Sequence, residues 1–138
     1  MQTQSIAVTL TPSAQFLRDV LCTAIEGGSN YWARFVGLEH HDGEHGPEWE
    51  RVRVKEYGDD DKAQSVREVG LAELAEGVRR VIAGDMTDKA EHANVHAAYR
   101  AALFAALIAE PGGNAGDVDA NLADIVLQAA ALGRIVYG

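Results

Sequence analysis

The side chains best suited to chemistry in this chain are five histidines and a scatter of carboxylates. His40, His41 and His45 share the polar stretch "EHHDGEH" with Glu39, Asp42 and Glu44. His92 and His96 stand four apart in a segment with helical periodicity. Imidazoles at that spacing project from one helix face and can share a zinc ion, with His41 or His45 arriving from the loop as a further ligand. The same two rings share a stripe with Tyr99 and Leu103, as histidines packed at the edge of a core would. A zinc hydrolase carries a glutamate directly after the first histidine as general base, and Ala93 stands there. Beyond this zinc reading no cofactor is expected.

Other chemical patterns start and fail. Asp117, Asp119 and Asn121 open like a calcium-binding loop, but Leu122 takes the place of its glycine and Gln128 that of its bidentate glutamate. These acids suit the start of a helix instead. The glycines of "EGGSN" follow a helix rather than precede one, the wrong polarity for a phosphate cradle. Cys22 has no basic neighbour in sequence to activate it, and Ser13, Ser29 and Ser65 lack a nucleophile elbow. The expectation leans away from an enzyme.

The elements that must position these residues read as one α+β domain: an antiparallel β meander or hairpin with three to four helices packed on one side. At 138 residues there is room for a single core. "SIAVTL" alternates as a half-buried strand. Pro12 and Ser13 suit a helix start, with Gly27 or Gly28 in the left-handed position past its end. "NYWARFVGLE" and "ERVRVKEY" predict a hairpin around a long polar loop, "HHDGEHGPEW", and "QSVREV" a third strand. Helices are expected from Gly70 to Ile82, from Thr87 or Asp88 to Ala109, and from Asp117 or Asp119 to Gly133. "RIVYG" would close the chain as a short strand or extended tail. Gly77 inside the first of these helices costs about 1 kcal/mol relative to alanine.

Composition limits the partners. The chain carries 21 acidic against 12 basic side chains, a net charge of −9, which repels nucleic acid backbones and anionic lipids. A host protein with a basic surface is the complementary partner; Glu39, Asp42, Glu44, Asp59, Asp60 and Asp61 are candidates for the acidic contact. Plain solubility also accounts for such a balance. A lone cysteine, no basic leader and no long apolar run predict a soluble protein of the cytoplasm.

"FLRDVLCTAIEGGSNYWARF" near the start and "LADIVLQAAALGRIVYG" at the end resemble a family of small proteins of unknown function from actinobacterial and proteobacterial phages, prophages and plasmids. That family has a helix ending in EGG(S/I)xYW. It closes with an AD-x-(I/V)-x-Q helix, a phenylalanine-glycine pair and an IVYG-like tail; Leu132 replaces the phenylalanine here. The resemblance implies a mobile-element context, hence a bacterial host cytoplasm, and no catalytic residues. Buried Tyr and Trp need a polar partner at one end. Asn121, Asp124 and Gln128 form a polar row that could supply it to Asn30, Tyr31, Trp32 or Tyr137. The two signatures are therefore expected to meet, as a polar lock or as a binding site. Three functions remain open: an accessory binding protein acting through its acidic surface, such as an inhibitor of a host nucleic-acid-handling defence complex; a metal-binding domain or metal-dependent enzyme; and a small-ligand or self-assembling module using Tyr31, Trp32 and Tyr137.

Overall fold

Ser13 opens the helical part of the chain. Its hydroxyl accepts the Phe16 N–H at 3.0 Å, satisfying one of the donors that a helix start leaves free, and α1 runs over Ala14–Thr23. The structure, a computed structural model, describes residues 3–57, 62–84 and 97–138. After α1 the chain widens into one π-helical turn, Ala24–Gly28, in which the Ser29 N–H reaches the Ala24 carbonyl at 2.9 Å. Neither Gly27 nor Gly28 takes the left-handed conformation that the sequence suggests. Gly28 answers a different need, because a Cβ on it would lie 2.5 Å from the Ala120 carbonyl oxygen. It lets two backbones cross.

Three strands form an antiparallel sheet in the order β1 (Ala33–Gly43), β2 (Gly46–Glu56), β3 (Ser65–Gly70), and with the helices this makes an α+β domain. Val52, Val54 and Val69 turn to the core, and Arg51, Arg53 and Lys55 alternate with them on β2. The expected long loop is a correction. The strands run through "HHDGEHGPEW", and only Glu44 and His45 separate Gly43 from Gly46, whose φ is 118°. β3 pairs only with Arg51 to Glu56, so the outer half of the hairpin has no third strand beside it. Polar residues are tolerated there on both faces, and polarity alone does not end a strand. Register slips around Glu39 bend this outer half.

"SIAVTL" is a second correction: residues 5–10 form no strand, and Ile6 and Val8 are 87% and 71% exposed. Alternation supplies a face, but a strand also needs a partner; this segment pairs with neither open edge of the sheet, and the chain passes straight from it into α1. Only Leu10 packs against the core.

Three further helices complete the fold. In α2 (Leu71–Ala83) the Glu73 carboxylate accepts the Gly70 N–H at 3.4 Å, and Gly84 ends the helix in the left-handed conformation. α3 is Ala97–Ile108, and the stretch in which it was expected to begin lies outside the described residues. A short 3-10 turn at Ala115–Asp117 leads into α4, Ala120–Leu132. The Asp119 carboxylate caps α4 by accepting the Leu122 N–H at 2.8 Å, and Gly133 closes it at φ 73°. α4 is buried on nearly all sides, from Leu122 to Ala131, and α1, α2, the π turn and β3 pack around it. Residues 134–138 follow as an extended tail, not a strand. Among the described residues no helix is long and apolar enough to cross a membrane.

Gly77 sits where α2 meets α4: a Cβ there would lie 2.8 Å from the Val126 carbonyl oxygen and 3.0 Å from the Ala130 Cβ. Helix propensity favours Gly77→Ala by about 1 kcal/mol, but prising two packed helices apart costs roughly 1–3 kcal/mol. The variant is expected to lower the urea midpoint; a rise would show that this contact does not limit the packing.

Candidate functional site

The π turn rotates the chain so that Ser29, Tyr31 and Trp32 all point at one carboxylate on α4. Asp124 is 6% exposed and accepts on both oxygens. Oδ1 takes the Ser29 hydroxyl at 2.7 Å and the Trp32 indole N–H at 2.8 Å. Oδ2 takes the Tyr31 hydroxyl at 2.6 Å and the Gln128 amide at 3.0 Å. Desolvating a carboxylate is expensive, and four converging donors offset that cost where no cation is paired with it among the described residues.

Gln128, one helical turn further on, carries the network to the tail. Its Oε1 accepts the backbone N–H groups of Val136 and Tyr137 at 2.8 and 3.0 Å, and its Nε2 donates to the Tyr137 carbonyl at 3.1 Å. The Tyr137 ring stacks on Trp32 with centroids 5.3 Å apart and planes 8° from parallel. Its hydroxyl donates to Glu56 Oε2 at 2.5 Å, and Glu56 Oε1 accepts the Ser65 hydroxyl at 2.7 Å. One polar chain therefore ties the sheet, the π turn, α4 and the tail together.

The two ends of the sequence meet as expected, through Tyr31, Trp32, Asp124, Gln128 and Tyr137. Asn30 and Asn121 are exposed, and Asn30 contributes only its carbonyl, which accepts from Arg34 at 2.7 Å. Ser29 and Glu56 hold the places that sequence reasoning missed. Ser29 lies directly beside Asn30, but the wider π turn shifts which side chain points inward. Gln128, a member of the polar row, is fully buried. Chemically the constellation is closed: Ser29 is 0% exposed and its hydroxyl donates to a carboxylate, with no histidine beside it among the described residues. Only Tyr31, 54% exposed, opens to solvent. Partial burial, and then the adjacent Asp124 carboxylate, push its phenol well above the usual tyrosine range.

The other candidates lie elsewhere. Glu39, Asp42 and Glu44 are exposed on the outer hairpin, where Asp42 stands 3.4 Å from His40 and Glu39 3.9 Å from Arg51. His41 is 3.8 Å from Glu50, and His45 is exposed in the turn. Among the described residues no group of three or more metal-ligating side chains comes together. His92, His96, Asp59, Asp60 and Asp61 lie outside them. Cys22 has its thiol raised chiefly by burial, which suits packing. On the outer half of the hairpin, Arg18, buried on α1, grips Glu48 at 3.1 Å and Glu50 at 3.0 Å.

Asp124→Ala would leave the Ser29, Trp32 and Gln128 donors without an acceptor in the interior. A loss on the order of 3–5 kcal/mol in chemical denaturation is expected. Tyr31→Phe removes one half-exposed donor and should cost about 1 kcal/mol. An Asp124→Ala protein as stable as the parent would sink the lock. A raised folded pKa means that the folded chain holds the Tyr31 proton after the unfolded chain has released it. The stability this contributes is complete below about pH 10 and is lost as pH climbs through the folded value. Ultraviolet titration should show late tyrosine ionisation, and Tyr31→Phe should reduce that late component.

No family model, no curated protein and no solved structure matches this chain.

Proposed function

We propose that the chain is a non-enzymatic accessory binding protein of a phage or other mobile element, working in the cytoplasm of its bacterial host. The outer half of the β1–β2 hairpin is its contact element. The observation that carries this reading is the contrast between the two polar groupings: the carboxylate network is sealed by its own donors, whereas Glu39 and Asp42 on the edge strand β1 and Glu44 in the turn stand exposed. Arg18 on α1 holds Glu48 and Glu50 of β2 within this outer half, so the acidic turn is presented beside a braced strand. The partner class that fits is a host protein with a basic surface, such as the nucleic-acid-handling groove of a defence complex. The resemblance of both chain ends to phage and plasmid proteins supports the setting. Asp59, Asp60 and Asp61 lie outside the described residues and are not part of the assigned contact.

Pull-down with the tagged full-length chain from host lysate tests this. Capture of a basic partner should fall steeply as salt is raised and should be lost in the triple variant Glu39→Gln, Asp42→Asn, Glu44→Gln. Capture that resists both changes would remove the acidic hairpin from the interface.

A further inference from the structure

A cleft of about 490 Å³ lies between β3 and the tail, on the far side of Glu56 from the Asp124 network. Its walls carry Arg67 on β3 and Arg134 just after α4. In a chain with so many more carboxylates than cations, most arginines are engaged. Arg18, Arg51, Arg79 and Arg80 each face a carboxylate, and Arg34 and Arg100 donate to backbone carbonyls. Arg67 and Arg134 have neither an ion pair nor a hydrogen bond among the described residues, and both are exposed into the same cleft. Among the described residues the one carboxylate lining it, Glu56, already accepts from Ser65 and from Tyr137. Among the described residues, two guanidiniums against one occupied carboxylate make this cleft basic in a chain whose net charge is −9.

The geometry points to a binding site for a phosphate group in this cleft, held between Arg67 and Arg134 and independent of the acidic hairpin. A guanidinium offers paired donors in a planar fork that matches phosphate oxygens, and two of them lining one cleft match a doubly charged anion. The polar wall formed by Gln64 and Ser65 suits the same ligand. No catalytic step is implied.

Isothermal titration of the full-length protein with inorganic phosphate, and separately with glycerol phosphate, tests the site against sodium chloride at matched ionic strength. Saturable binding of either is expected, and the tighter of the two tells free phosphate from a phosphate ester. Arg67→Gln and Arg134→Gln should each weaken it at least about tenfold, and Arg67→Lys should restore only part because it keeps charge without the fork. Arg53→Gln, on the opposite face of the sheet, should change nothing. Unchanged melting temperatures without ligand would confirm that the variants fold. Absence of saturable binding, or equal binding by the double Arg67→Gln, Arg134→Gln variant, would overturn the assignment.

Discussion

A carboxylate placed in the interior without a cation must collect donors from wherever the chain can bring them, and Asp124 collects four. That requirement organises much of the molecule. It demands the π turn, because an ordinary α-helical exit would phase Ser29 and Trp32 differently. It demands Gly28 at the crossing with Ala120, because any side chain there would hold the donors away. It also demands Gln128, which shares Oδ2 and passes the network on to the tail. Hydrogen bonds to a buried acid are directional, so these elements are fixed in angle as well as in distance.

The same logic recurs with opposite sign on the other side of the core. Arg18 is nearly buried on α1 and is held by Glu48 and Glu50, with Gln15 also donating to Glu48. The Gln15 amide, followed by the Arg18 guanidinium, keeps the Glu48 carboxyl below its usual range. One buried anion thus joins the π turn to α4, and one buried cation joins α1 to the hairpin. Between them the apolar core needs only ordinary packing, with Trp32, Phe16 and the valines of β2 at its centre.

Helix limits were legible because they rest on local chemistry: Ser13, Asp119, Gly84 and Gly133 cap as their types suggest. The meeting of the two chain ends was legible because Tyr and Trp need polar partners and α4 carries a polar row. Which members took part was not. A single π turn moves the inward position from Asn30 to Ser29, and nothing in the residue types announces such a turn. Gln128 satisfies mainly backbone groups of residues 136 and 137, which no side-chain pattern encodes. The outer hairpin was misread because strand character was inferred from burial, and a two-stranded ribbon has little of it. "SIAVTL" differs in the converse way, with the pattern of a strand but no pairing to either open edge of the sheet.

The separation between partners in the carboxylate network has a consequence for biosynthesis. Asp124 follows Trp32 by 92 residues, and the backbone amides that Gln128 reads come later still. During translation the indole and the Ser29 hydroxyl therefore emerge long before their acceptor exists. The hairpin can zip locally on the ribosome, but the π turn has no reason to settle until α4 leaves the exit tunnel. Folding of this chain is in that sense postponed to its final segment, and a nascent polypeptide stalled ahead of residue 120 would present an unsatisfied aromatic surface to the chaperones.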